Sequence, residues 1–92
     1  MNYYAVLLPM LDEEKSTSHR QAHLDYVEQM REENHIFLYG KLKDGAGGLI
    51  IYQGEDLQDI EALVKNDPYV TTGARDYMIH PWDMKSDYQF SK

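Results

Sequence analysis

The apolar residues of this 92-residue chain switch repeatedly between two periods, and the order of those switches leaves few folds open. Tyr3-Tyr4-Ala5-Val6-Leu7-Leu8 is a continuous apolar run closed by Pro9, the pattern of a strand buried on both faces. Met10 to Thr17 reads as a polar connection. Ser16, Thr17 and Ser18 then offer capping oxygens to a helix from about Ser18 or His19 to Asn34. Within it His23, Leu24, Tyr26, Val27 and Met30 form one stripe, with Gln21, Asp25, Glu28, Gln29 and Glu32 opposite. The period then changes back: Ile36 to Lys43 and Leu49 to Gln53 read as two antiparallel strands joined by the turn Asp44-Gly45-Ala46-Gly47-Gly48. Leu57, Ile60, Leu63 and Val64 predict a second helix from about Asp56 to Asn66, since Pro68 disfavours helical geometry at Asp67. Arg75 to His80 is the last short strand, before Pro81-Trp82.

The resulting order β-α-β-β-α-β is the ferredoxin-like α+β arrangement, with right-handed crossovers placing both helices on one face of an antiparallel sheet. One domain over residues 1–82 is expected, followed by a polar tail at 83–92. The second sheet face requires a cover. Tyr3, Ala5 and Leu7 oppose Tyr4, Val6 and Leu8, and Phe37 and Tyr39 oppose Ile36 and Leu38, so neither set is polar. A solvated sheet face should be polar. The expectation is therefore a homodimer whose two sheets pack through this face into a barrel-like core.

The absence of cysteine excludes disulfide scaffolds, thiolate metal sites and thiol nucleophiles. The longest apolar run is far short of the roughly 20 residues of a membrane-spanning helix, and no basic stretch precedes it. A cytoplasmic protein without a membrane partner is expected. A net charge of −7 without a basic tract argues against nucleic acid as a partner.

His23 stands at the centre of the first helix's apolar stripe, with Arg20 one turn earlier on the same side. Alone, such a histidine is most often structural, and only a tuning partner changes that reading. Asp67 is the candidate, because the start of the first helix and the end of the second lie at one end of this topology. A carboxylate at a helix C-terminus faces the negative end of the dipole, so Asp67 is not expected there for helix stability. Paired with His23, it would fix the ring tautomer and leave the other nitrogen able to take a substrate proton. Arg20 and Arg75 are candidate anion-binding groups, Tyr69 a pocket wall or hydroxyl donor, and Gly40 a point of close approach or a bulge. His19 and His23 have the i,i+4 spacing of metal ligands, but HRQAH lacks the glutamate of HExxH, so neither a metal nor a cofactor is expected.

Arg20-x-x-His23, Gly40 in a strand, Asp67-Pro68-Tyr69 followed by Gly73, and the closing Pro81-Trp82 together resemble the YCII-related domain family over residues 3–82. The resemblance implies a ferredoxin-like dimeric α+β barrel and an active-site His-Asp pair on His23 and Asp67, with Arg20 and Gly40 as further pocket positions. Many members carry Gly-Pro where this chain has Gly40-Lys41, a departure that bears on pocket shape and substrate. One branch of the family eliminates chloride from a chlorinated hydroxyquinol, which implies lyase chemistry. The leading expectation is a cofactor-independent enzyme whose His23, oriented by Asp67, deprotonates a small hydroxy-aromatic or carboxylated substrate. The alternatives are a non-catalytic ligand-binding or interaction module on the same dimer, and a cofactor-free oxygenase of related fold.

Overall fold

A computed structural model describes residues 1–85 of the chain; the expected polar tail lies outside the described residues from position 86 onward. Four strands form one antiparallel sheet: β1 (Asn2–Pro9), β2 (Ile36–Lys41), β3 (Gly47–Gly54) and β4 (Met78–Trp82), in the order β2-β3-β1-β4. This is the expected ferredoxin-like α+β topology. Two longer helices, α2 (Arg20–Glu32) and α3 (Leu57–Lys65), and two short ones, α1 (Glu13–Ser18) and α4 (Pro68–Thr71), complete it. Tyr4, Val6 and Leu8 of β1 are buried with Val27 and Met30 of α2 and Ile60 and Val64 of α3, so the core lies between the helices and one sheet face. Tyr3, Ala5 and Leu7 remain only half-buried, so within the chain the first strand is covered on one face rather than both.

The strand register assigns the faces. Across the helix side lie the rows Leu8–Gly48–Lys41, Val6–Ile50–Tyr39 and Tyr4–Tyr52–Ile36; across the open side lie Leu7–Leu49–Gly40 and Ala5–Ile51–Leu38. The pairing shifts between Ile36 and Leu38, leaving Phe37 as an extra residue. Such a bulge reverses the alternation beyond it, which corrects the expected grouping of Phe37 with Tyr39. Phe37 meets Tyr3 edge-on at 5.6 Å, whereas Tyr39 turns toward α2 and donates its hydroxyl to Glu28 at 2.7 Å.

The local start signals also act differently from the sequence expectation. Asp12 accepts the backbone N–H of Lys15 at 3.0 Å and, with Glu13 and Glu14 in the first turn, begins α1 where a polar connection was expected. Ser16 is therefore not a cap: it is buried within α1, its hydroxyl 3.0 Å from the Met10 sulfur. His19 opens α2 without a side-chain cap, and Asn34, at φ 68°, turns the chain after it, so α2 ends before Asn34. The last strand starts at Met78 rather than Arg75, because the Arg75 N–H is taken by the Tyr69 carbonyl at 2.9 Å and Arg75 makes only an isolated bridge to Met10.

Candidate active site

Asp67 follows the C-cap of α3 and precedes a proline, which disfavours the helical conformation there, and its backbone is extended at φ −62°, ψ 129°. That break turns its side chain inward while Pro68 occupies the first position of α4, where a missing N–H costs nothing. The Asp67 carboxylate accepts the Tyr69 backbone N–H at 2.9 Å and thereby caps α4. This corrects the expectation that Asp67 contributes nothing to helix stability: it sits at the favourable N-terminal end of a further helix, which the sequence reading had not included.

His23 is one turn into α2, on the stripe that also buries Val27 and Met30. Its Nδ1 lies 2.7 Å from Asp67 Oδ1 and 3.0 Å from Oδ2. A carboxylate only accepts, so Nδ1 is the donor in this contact, and in the neutral form of the ring Nε2 keeps its lone pair. His23 is 8% exposed and Asp67 1%. The pair is thus a buried carboxylate behind an imidazole whose edge reaches a cleft of about 310 Å³, the lower end of the range for small-molecule sites.

Tyr69 joins the pair to the cleft. Its buried ring stacks on His23 with centroids 3.9 Å apart and planes 13° from parallel, and the Arg75 guanidinium carbon lies 4.3 Å from the same ring centroid. Arg75 is further held by Nε donating to the Ser16 hydroxyl at 3.0 Å and Nη1 to the Leu8 carbonyl at 3.4 Å. Arg20 is exposed at the start of α2 and lines the cleft without a hydrogen bond among the described residues. A more open hollow of about 800 Å³ beside α1 shares Arg20 and Arg75 but is not lined by His23, so the smaller cleft is the one with chemistry on its wall.

Gly40 borders the cleft, but the register directs its missing side chain to the open sheet face, where a Cβ would meet nothing within 4 Å. The bulge expected of it lies earlier, at Phe37. The glycine that opens the helix side is Gly48, where a Cβ would lie 3.7 Å from Arg75 Nη1. Gly48 was not singled out from sequence, and its cross-strand neighbour Lys41 only as a departure from the family's Gly-Pro pair; aligning the two hairpin strands with the bulge included would have placed both beside Leu8.

Two phenols surround the carboxylate's charge. Burial first, then the charges of Asp67 and Glu33, push the Tyr26 hydroxyl up to about 12, and this group donates to the Leu63 carbonyl at 2.6 Å. Burial and then Asp67 push the Tyr52 hydroxyl up as well. Among the described residues no cluster of three or more His, Asp or Glu side chains is arranged to hold a metal ion, and no helix is long and apolar enough to cross a membrane.

Residues 1–83 match the model of the YCII-related domain. The uncharacterized protein YjpA of Bacillus subtilis (strain 168) is 23% identical over 83 residues, spanning 90% of this chain and 98% of that protein. Among solved structures, the 5-chloro-2-hydroxyhydroquinone dehydrochlorinase of Burkholderia phenoliruptrix AC1100, in complex with 2,5-dihydroxybenzoquinone, is similar with a TM-score of 0.77 and 19% identity, over 90% of this chain and 95% of that one. A candidate antibiotic biosynthesis monooxygenase of Deinococcus radiodurans is similar over the whole of both chains, with a TM-score of 0.58 and 17% identity. At these identities the two structures show a shared fold.

Proposed function

The chain belongs to the YCII-related domain family, and from that premise we propose that it is a small cofactor-independent lyase in which His23 acts as general base. The observation that carries this reading is the buried 2.7 Å contact between His23 Nδ1 and Asp67 on a histidine that lines the cleft, an arrangement that supports Nε2 of the neutral ring as the proton acceptor. Nε2 takes a proton from a hydroxyl or acidified C–H of a small hydroxy-aromatic or carboxylated substrate. The bonding pair moves into the substrate, and a leaving group departs with its own pair. Asp67 is a positioning residue that stabilises the imidazolium formed in that step. Arg20 and Arg75 hold the anionic part of the substrate, and Tyr69 fixes the plane of the imidazole by stacking. Gly40 contributes only its backbone to the rim of the cleft, since its Cβ direction faces the open side of the sheet. The dehydrochlorinase of similar fold supplies the precedent for elimination.

The reading includes a homodimer through the open sheet face. Leu38 is 51% exposed and Trp82 46%, beside half-buried Tyr3 and Leu7, an apolar surface of the kind that marks an interface. A cytoplasmic location is part of the same reading.

The test is a turnover screen of small hydroxy-aromatics, their chlorinated forms and lactones with wild type and His23→Ala. Turnover lost in the variant supports the base role. Equal turnover in both removes His23 from the mechanism, and binding without turnover by wild type leaves a ligand-binding module on the same fold. Nitrogen-15 spectra add an independent readout: the Nδ1–H tautomer is expected in wild type and the Nε2–H tautomer in Asp67→Asn, whose amide N–H would donate to Nδ1.

A further inference from the structure

The wall of the His23 cleft carries Arg20, Lys41 and Arg75, and no acidic side chain among the described residues lines it. In an otherwise acidic protein that segregation is specific to this place. The hollow at the opposite end of the sheet is lined by Glu33, Glu55 and Asp59 with no Lys or Arg, and the one beside α1 mixes Glu13 and Glu14 with its cations. Arg31, by contrast, is matched to Glu28 at 2.9 Å. The side chains of Arg20 and Lys41 have no hydrogen-bond or ion-pair partner among the described residues, and the Arg75 side chain is bound only by neutral acceptors and the Tyr69 ring.

The three cations come from separate elements. Arg20 opens α2 at the helix end where the dipole disfavours a positive charge, so helix stability does not account for it. Arg75 follows α4, and its Nη1 reaches over Gly48 to the Leu8 carbonyl. Lys41 ends β2, and the row Leu8–Gly48–Lys41 puts it on the same sheet face as Arg75, with the side-chain-free Gly48 between them. A ligand above Gly48 would therefore have cationic groups on two sides and the His23 edge on a third.

We infer that the cleft selects a small organic acid bearing two negative charges, one set against Arg75 and Arg20 and the other against Lys41, with Lys41 as the specificity-determining residue. A singly charged acid satisfies the arginine side alone. The cationic wall also favours the anion formed when a proton leaves the ligand. The inference rests on the proposed function only in placing the ligand beside His23.

The test is calorimetric titration of the full chain with benzoate and with benzene-1,3-dicarboxylate, at pH 8 and matched ionic strength. The dicarboxylate should bind about tenfold more tightly, the equivalent of one further charge-assisted contact. Lys41→Gln should abolish the preference by lowering dicarboxylate affinity about tenfold relative to benzoate affinity, Lys41→Arg should keep it, and Lys43→Gln, outside the cleft wall, should have no effect. A preference below about twofold, binding of neither acid at millimolar concentration, or an equal effect of Lys43→Gln overturns the inference. His23→Gln separates the two readings. A dicarboxylate preference that survives while turnover proves independent of His23 removes only the base role, and His23-dependent turnover without the preference removes only the ligand class.

Discussion

Replacing His23 with Phe should destabilise the protein more than replacing Asp67 with Asn, and the two changes together should cost less than their sum. Phe retains the volume and the stack on Tyr69 but leaves the Asp67 carboxylate, 1% exposed, with only the Tyr69 N–H as a donor. Stranding one partner of a buried pair costs about 3–5 kcal/mol. Asn keeps a carbonyl oxygen to cap α4 and an amide N–H to donate to Nδ1, so it exchanges a charge-assisted hydrogen bond for a neutral one at a cost of about 1–1.5 kcal/mol. In the double variant the stranded charge is gone, and the coupling recovered should be at least ~1.5 kcal/mol. With a stability on the order of 5–14 kcal/mol for a chain of this length, the variants should remain folded. Urea unfolding followed by far-ultraviolet circular dichroism, at one protein concentration, measures all four corners of the cycle. Additivity within about 0.5 kcal/mol would refute the reasoning, because the pair would then contribute nothing that depends on both members. Should His23→Phe fail to fold, a folded double variant would carry the same conclusion.

Tyr26→Phe should flatten the loss of stability between pH 10 and 12. The folded hydroxyl is raised to about 12 from 10.0, so its contribution is complete below pH ~10 and disappears as pH rises through the folded value, amounting to ~1–1.5 kcal/mol after discounting for partial exposure; denaturant midpoints across that window, compared with wild type, read it directly. Leu7→Lys, on the open sheet face, should convert a particle of twice 10.8 kDa into one of 10.8 kDa without loss of the far-ultraviolet spectrum; light scattering showing a wild-type monomer would defeat the shared-sheet arrangement. Adjacent glycines should respond oppositely to alanine. Gly47, at φ 149°, would drive a Cβ into the Leu8 carbonyl, so Gly47→Ala should cost about 2 kcal/mol or more, while Gly48→Ala meets only ordinary contacts and should fold normally by thermal melting.

The parts of the fold legible in the sequence were those set by long periodic stretches. The stripe His23–Val27–Met30 and the spacing Ile60–Val64 identified the two longer helices because each buries one face against the sheet. What could not be read was local and short. A one-turn helix such as α4 has no periodicity, and its signals, Asp67 as cap and Pro68 as first residue, are the same residues that announce the end of α3. The β2 faces were misassigned because a bulge leaves no mark in an apolar run such as Ile36-Phe37-Leu38-Tyr39, where every register is equally hydrophobic. That one-residue shift is also what brings Lys41 to the cleft side, so the cation that follows from the hairpin register was out of reach while the register was unknown.

The same break in the chain that ends α3 makes the candidate site. Pro68 disfavours a helical conformation at Asp67, the extended backbone turns its carboxylate inward, and there it accepts from both the α4 backbone and the α2 histidine. Asp67 therefore joins three helices through one side chain, and its position is fixed by capping geometry rather than by the histidine alone. An aspartate anchored by a backbone N–H holds its orientation when His23 changes charge, which is what a positioning carboxylate must do through a proton-transfer cycle. A substitution that preserves the His23 contact but loses the cap should consequently loosen the imidazole as well. Asp67→Glu is such a change: its longer side chain can still reach Nδ1, yet it displaces the oxygen that caps α4, so turnover should fall even where the paired tautomer persists.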